Sequence, residues 1–295
     1  MSANVKDELS KTVDTPARSR ALGSILVDAG RLTERDVAEI QAFADHNGML
    51  FGAAGVELKK LTSEDLDFAL GRQFNYPTLP HGPGGLVTPD VITAYQPQSV
   101  VAEDLRTVRS RLVIDWLNHA SRNTLAVVSP GRGDGRSWFA ANLATAFAQA
   151  GERTLLIDAD MRRPRQHELF KVNDTLGLSA LLTGRAGKET ARRIHPELRL
   201  FVIAAGVLPP NPQELLTRPA FEVVLNKFAA QFDVIIIDTP PSQASADAQV
   251  IAAKAGSALV LARRNHTTES ALRPTVQSLL DSKVTVVGSV INEYG

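Results

Sequence analysis

Ser129-Pro130-Gly131-Arg132-Gly133-Asp134-Gly135-Arg136-Ser137 is a glycine-rich loop that closes an apolar run, and two acid-ended runs follow it. They are Thr154-Leu-Leu-Ile-Asp158-Ala-Asp160 and Phe232-Asp-Val-Ile-Ile-Ile-Asp238-Thr-Pro-Pro241. A glycine-rich turn after an apolar strand offers backbone N–H groups to phosphate oxygens. Carboxylates at neighbouring strand ends can hold Mg²⁺ and a nucleophile. Together the three segments read as nucleoside-triphosphate chemistry.

Outward from the loop, apolar strands alternate with helices. Strands are expected at 124–129, 154–159, 199–204, 233–237, 257–262 and 284–291, and helices at 137–150, 213–230, 246–254 and 268–281. This alternation implies an α/β fold, a mostly parallel sheet with helices on both faces. Ligands in such sheets bind at the carboxyl ends of the strands, where both acidic motifs lie.

Ahead of this region the chain changes character. Residues 1–18 are polar and unpatterned and read as a disordered tail. Residues 19–79 show helical periodicity and a weak repeat: Leu22-Gly23 to Leu32-Thr33-Glu-Arg-Asp-Val37, then Phe51-Gly52 to Leu61-Thr62-Ser-Glu-Asp-Leu66. In each copy a Thr caps a helix whose first turn is acidic, so a small helical module is expected. Residues 80–99 carry Pro80, Gly82, Pro83, Gly84, Gly85, Pro89 and Pro97 and read as a linker. The catalytic domain is then expected to span 100–295, opening with a charged helix in which Glu103, Arg106 and Arg109 share one face.

Composition narrows the function. Lys+Arg and Asp+Glu balance at 32 each, which argues against a general nucleic-acid affinity. There is no cysteine, so disulfides and thiolate metal sites are excluded. No apolar run approaches a membrane span and the first residues lack a signal-peptide core, so a cytoplasmic location is expected, with any membrane association made through a partner. The six histidines do not fall at metal-ligand spacing and read as surface residues. Ser242 and Ser245 have no His and Asp in a hydrolase-like arrangement.

Within the motifs, the loop departs from G-x-x-x-x-G-K-[ST]: Pro130 stands where Gly is usual and Arg136 where Lys is usual. Arg136 can fork two phosphate oxygens, and Ser137 is placed to put its hydroxyl on Mg²⁺. Taken alone, the loop is equally an ordinary turn. Asp158 and Asp160 repel unless a cation or an arginine lies between them; one would act on a nucleophile, the other support the metal shell. The alternative is a helix cap with an ion pair to Arg162. Asp238 ends a continuous apolar strand, where a charge needs a ligand or partner, and Mg²⁺ is the natural one.

From about residue 100 onward the chain resembles the bacterial tyrosine autokinases, or BY-kinases, of capsule and exopolysaccharide synthesis. The matching stretches are Glu103-x-x-Arg106-x-x-Arg109, the loop at 132–137, Ile157-Asp-Ala-Asp-Met-Arg162, Gly177-Leu-Ser179, Pro210-Asn-Pro212-x-Glu-Leu-Leu216, and Asp238-Thr-Pro-Pro241 with Asp247-Ala248. The resemblance is to the stand-alone chain-length-determinant kinases, and it implies an ATP- and Mg²⁺-dependent protein-tyrosine kinase with a deviant-Walker P-loop NTPase fold. It implies nucleotide binding by Gly133, Asp134, Gly135, Arg136, Ser137 and Trp138, with Arg263 and Asn292 at the adenine. Ser137, Asp160 and Asp238 would set the Mg²⁺, Asp158 would take the tyrosine proton, and Asp160 and Arg136 would assist. Glu103, Arg106 and Arg109 would build a homo-oligomer, a ring being the form the resemblance implies, beside a membrane-embedded polysaccharide chain-length (co-polymerase) protein. Tyrosine occurs only at 76, 95 and 294, so a phosphorylated cluster is not expected and Tyr294 is the candidate acceptor. The alternatives are a ParA/MinD-like positioning ATPase and a nucleotide-binding regulator with little kinase activity. Residues 19–79 are similar to the N-terminal domain of type II secretion ATPases. Arg20-Ala21 and Leu50-Phe51 stand where that fold's cyclic di-GMP motif opens with Arg-Leu, so protein docking is expected in place of cyclic di-GMP.

Overall fold

A computed structural model describes residues 22–73, 77, 79, 85–118 and 123–293. The expected tail at 1–18 lies outside the described residues, as do Tyr76 and Tyr294. The chain forms two compact units, Met1–Tyr76 and Pro77–Gly295.

The first unit holds helices α1 (Leu22–Asp28), α2 (Glu34–Asn47), α3 (Phe51–Glu57) and α4 (Ser63–Gln73). The sequence repeat is real at the level of hydrogen bonds. Thr33 N–H donates to Asp36 Oδ2 at 3.0 Å and Asp36 N–H to Thr33 Oγ1 at 3.2 Å. Thr62 and Asp65 repeat the same reciprocal cap at 2.9 and 3.1 Å. The two copies exchange cations across the unit, Lys60 pairing with Asp36 and Arg31 with Asp65. Gly23 and Gly52 are equivalent close-approach points: an added Cβ would meet Val37 at 2.8 Å and Leu66 at 2.5 Å. Leu26, Ile40, Ala54 and Ala69 form the fully buried centre.

The second unit is a seven-stranded sheet of order β3-β4-β2-β5-β1-β6-β7. The strands are β1 (Thr124–Val128), β2 (Thr154–Asp158), β3 (Arg192–Arg193), β4 (Leu200–Ile203), β5 (Val234–Asp238), β6 (Ser257–Arg263) and β7 (Thr285–Asn292). All neighbours pair parallel except β3 and β4. Strands covered on both faces need apolar residues at every position, as in Val234-Ile-Ile-Ile237. Alternate residues then feed two cores: Leu125, Val127, Leu156 and Ile236 face one layer, and Ala126, Val128, Leu155, Ile157, Ile235 and Ile237 the other. Each fully buried Leu, Ile or Val contributes roughly 1.5–3 kcal/mol.

The unit's helices are α5 (Ile92–Tyr95), α6 (Val100–Leu112), α7 (Arg136–Gln149), α8 (Gln166–Leu169), α9 (Leu178–Leu182), α10 (Pro212–Thr217), α11 (Pro219–Ala229), α12 (Asp247–Ala255) and α13 (Glu269–Asp281). A single π-turn, Val113–Leu117, extends α6. Three expectations change. The helix expected at 213–230 is two helices, because Pro219 forces a new start after an extended Arg218. The two-residue edge strand β3 was not anticipated; it is too short to show periodicity.

The third change concerns the expected linker at 80–99. Its described part, 85–99, is built into this unit: Val87, Val91, Ala94 and Tyr95 are buried in the core. Polar residues on α7 hold it there. Thr93 N–H donates to Asn142 Oδ1 at 3.1 Å, Asn142 Nδ2 to Asp90 O at 3.0 Å, and Gln149 Nε2 to Thr93 O at 2.7 Å. Prolines and glycines here shape a packed strap, and the buried amides that fix it satisfy otherwise orphaned backbone groups.

Candidate active site

The loop between β1 and α7 turns on two glycines in the left-handed region, Gly133 at φ +82° and Gly135 at φ +94°. Gly135 caps α7, and an added Cβ would come 2.2 Å from Asn292 Nδ2, so only glycine fits. The 14-residue α7 therefore opens directly from the loop and brings its unpaired N–H groups and positive dipole end to the site.

The loop is stitched from its flank. Asp134, with no exposed surface, accepts from Gly131 N–H at 2.7 Å and Thr267 Oγ1 at 2.7 Å, and pairs with His266 Nδ1 at 3.1 Å. Burial raises its pKa, but these bonds together with Ser129 outweigh burial and hold the carboxyl below its ordinary range. Arg263 Nη1 donates to Gly133 O at 3.1 Å and Asn292 Nδ2 to Asp134 O at 3.1 Å. Arg263 and Asn292, which the resemblance places at the adenine, both fasten the loop here. The side chain of Asp134 likewise faces inward, leaving its backbone to the loop. His266, read as a surface residue, belongs to this anchor; no local pattern marks a contact formed 132 positions away.

Arg136 does not extend freely into the cavity. Its guanidinium is buried and donates to Thr239 O at 2.9 Å, to Gly131 O at 2.6 Å and to Ser129 Oγ. Burial lowers its pKa, while Asp238, Asp160 and Asp134 act in the opposite direction. The sequence expected a two-oxygen phosphate fork; the longer side chain folds back under the loop instead.

The three carboxylates divide sharply. Asp158 and Asp238 are paired in register on adjacent strands, and neither has exposed surface. Both oxygens of Asp158 are taken: Oδ1 accepts from Asp160 N–H at 3.2 Å, and Oδ2 from Arg165 and Gln166 N–H at 2.9 Å each. Burial, then the neighbouring Asp238, push its pKa well above the usual carboxylate range. Asp158 does not line the cavity; its hydrogen bonds anchor the turn that carries Asp160 and the arginines after it. Asp160 does line the cavity, 6% exposed, with Oδ1 accepting from Arg163 N–H at 3.0 Å. Burial raises its pKa as well.

Asp238 is satisfied on one oxygen only. Its Oδ2 accepts from Gln166 Nε2 at 2.8 Å, whereas Oδ1 is buried without a hydrogen-bond partner. Burial lifts its pKa to about 6 against the pull of Gln166, Ser137 and Arg136. Gln166 also donates to Ser137 O at 3.0 Å, so it braces both sides of this point. Nothing local marked Gln166; its role depends on where α8 packs. The unpartnered Oδ1, on a carboxyl that the Ser137 hydroxyl also approaches, fits a hard cation that takes oxygen donors and keeps several waters, and Asp160 supplies a further carboxylate on the same cavity. Among the described residues no three His, Cys, Asp or Glu gather as a protein-only metal cage.

The cavity has a volume of about 820 Å³, towards the upper end of small-molecule sites. Loop residues 131–133 and 135–138 form one wall, Pro240 and Pro241 another, and Asp90 and Leu169 a third. Trp138 is also on the wall. Asp90 comes from the strap that was read as a linker. Arg162, read as a possible partner of the Asp pair, binds Asp247 at 3.0 Å. On α6, Arg106 pairs with Glu103 and Arg109 Nη1 donates to Ala146 O of α7 at 3.1 Å, so part of the expected assembly face is spent within the chain.

The family profile described as ParA: NUBPL iron-transfer P-loop NTPase matches residues 120–293. The tyrosine-protein kinase YwqD of Bacillus subtilis is 34% identical over 210 residues, 71% of this chain and 88% of that protein. The tyrosine-protein kinase Ptk of Acinetobacter johnsonii is 35% identical over 204 residues, 69% of this chain but 28% of that protein. The crystallised kinase domain of the Escherichia coli tyrosine kinase ETK superposes with a TM-score of 0.66 at 28% identity, covering 72% of this chain and 82% of that one. The chain therefore belongs to the bacterial tyrosine-protein kinases, a branch of the ParA-like P-loop NTPases. Among the described residues no helix is long and apolar enough to cross a membrane.

Proposed function

We propose that this chain is an ATP- and Mg²⁺-dependent protein-tyrosine kinase controlling exopolysaccharide polymerisation or export and chain length. The observation that carries the reading is the unpartnered buried oxygen of Asp238 beside Ser137, at a glycine loop and helix N-terminus. The loop amides from Gly133 to Ser137 hold the phosphates. Ser137 and Asp238 would hold the cation, with Asp160 supporting its outer shell, and the cation would neutralise charge on the transferring group. The acceptor phenol forms a bond to the γ-phosphorus while the bond to the β,γ-bridging oxygen breaks and ADP leaves with that electron pair. Asp160, the acid that faces the cavity, receives the phenolic proton. Rate enhancement comes from positioning and charge neutralisation more than from covalent chemistry.

In this reading the kinase works beside a membrane-embedded chain-length protein, assembles through Glu103, Arg106 and Arg109, and uses Tyr294 as its own acceptor. It is cytoplasmic, reaching the inner membrane through that partner, and the first unit docks a protein. A single measurement tests the core of this: phosphotyrosine mass spectrometry on the protein incubated with Mg-ATP, beside Asp160→Asn. Phosphotyrosine in the parent alone is the expected result. ATP hydrolysis without phosphotyrosine, with or without the partner's cytoplasmic segment, would replace it with the positioning-ATPase reading. The guanidinium of Arg136, committed to three protein acceptors, favours a second reading, a regulator that binds nucleotide and transfers nothing; bound but unconsumed ATP would identify it.

A further inference from the structure

We propose that Arg132 and Arg163 form a subsite for acidic residues flanking the acceptor tyrosine, so that the substrate is a tyrosine within an acidic segment. This rests on the kinase reading and adds the substrate class. The charged residues lining the cavity are Arg132, Arg136, Arg162, Arg163 and Arg165 against Asp90 and Asp160. Arg136 is consumed by the loop and Thr239, Arg162 by Asp247, and Arg165 by Glu168 at 2.9 Å. Arg132 and Arg163 are exposed, and among the described residues neither guanidinium has a hydrogen-bond or ion-pair partner.

Two unpaired cations lining the same cavity create a positive field that apolar walls concentrate. The nucleotide has other donors for its phosphates, the loop amides and the start of α7, and a divalent cation offsets part of its charge. Carboxylates of an acceptor segment complement what remains, and guanidinium pairs carboxylate in a two-pronged geometry. One tyrosine of this chain meets the requirement in sequence: Glu293 precedes Tyr294, whereas Tyr76 lies between Asn75 and Pro77 and Tyr95 between Ala94 and Gln96. The same chemistry describes an acidic tyrosine segment in another protein.

The test uses the full chain and three labelled peptides with a central tyrosine flanked by Glu, Ala or Lys. Binding is read by fluorescence anisotropy with Mg²⁺ and a non-hydrolysable ATP analogue, and transfer by mass spectrometry with ATP. The Glu peptide is expected to exceed the Ala peptide roughly tenfold in affinity and in kcat/KM, with the Lys peptide weakest. That preference should shrink at high salt and collapse to near unity in Arg132→Ala/Arg163→Ala. Because the readout is a ratio between peptides, a general loss of activity in the variant does not imitate it. Equal binding of the Glu and Ala peptides, or a preference that survives the double variant, overturns the subsite. Arginine-dependent binding of the Glu peptide without phosphotyrosine supports the subsite and overturns the kinase reading instead. Tyr294→Phe separates the sources: self-phosphorylation lost while peptide transfer continues identifies the chain's own segment as an occupant.

Discussion

Asp158 and Asp238 end adjacent strands, face each other in register and are equally buried, yet their oxygens are satisfied differently. Three backbone N–H groups saturate Asp158, whereas Asp238 keeps one oxygen bare. A buried carboxylate surrounded by amide donors is a structural fastener. A buried carboxylate missing a donor carries a desolvation cost that a cation can relieve. Position at a strand end therefore does not distinguish an anchor from a ligand; the count of partners on each oxygen does.

The largest expected break in this contrast is Asp238→Ala. Phosphotransfer should fall roughly 10²–10³-fold, the cost of removing one preorganised charge-stabilising group, while nucleotide-free stability rises because an unsolvated carboxylate is gone. A stable, fully active variant in a Mg²⁺-dependent transfer assay would remove Asp238 from the site.

Next comes the pair Asp160→Asn and Asp158→Asn. Asp160→Asn should cost roughly 10²-fold or more in transfer, as for loss of a general base, with the fold unchanged. Asp158→Asn should act through the turn at 160–166: Asn keeps one acceptor oxygen and turns a donor towards one of the N–H groups. Denaturant unfolding should show a loss of about 1–3 kcal/mol, with ATP still bound. If Asp158→Asn abolishes transfer at unchanged stability while Asp160→Asn stays active, the two roles exchange.

The pH dependence sharpens the contrast further. The Asp238 carboxyl holds its proton up to about pH 6 when folded, against 3.8 ordinarily. Between those values the folded state binds more protons than the unfolded chain, so the stability this group contributes is fully present below pH 3.8, falls as pH rises through about 6 and is level above it. The drop is about 3 kcal/mol from this group, measurable as a Tm decrease that Asp238→Asn flattens. Mg²⁺ affinity should move the other way, rising through pH 6 as the carboxylate is exposed to the ion.

The smallest effect belongs to Gln166→Leu. Its amide is a donor to Asp238 and lowers that pKa, so removing it should shift the midpoint of the Mg²⁺ pH profile upward. A profile unmoved by Gln166→Leu would show that burial alone sets the titration.

Much of this was legible in the chain. The loop, the acid-ended runs and the α/β alternation rest on local rules: strand periodicity, glycine at positive φ, and helix capping. The Thr33–Asp36 and Thr62–Asp65 caps were legible for the same reason, since both partners lie three residues apart. The 80–99 strap misled because proline and glycine density reports backbone shape and not burial; Asn142 and Gln149 on α7 decide that it packs.

Sequence alone settled that the glycine loop and the strand-end carboxylates meet at one edge of a parallel sheet, because the motifs are short and the topology of alternating strands and helices brings their carboxyl ends together. Tertiary structure decided which acid looks into the cavity, where the Arg136 guanidinium goes, and that Asp134 is clasped by Thr267 and His266. The last two outcomes depend on partners more than a hundred residues away, Thr239 for Arg136 and Thr267 and His266 for Asp134, whereas the bonds of Asp158 and Asp160 come from donors 2 to 8 positions along the chain. A side chain's charge is written in the sequence; the number of hydrogen bonds left for a ligand is set only when distant elements pack.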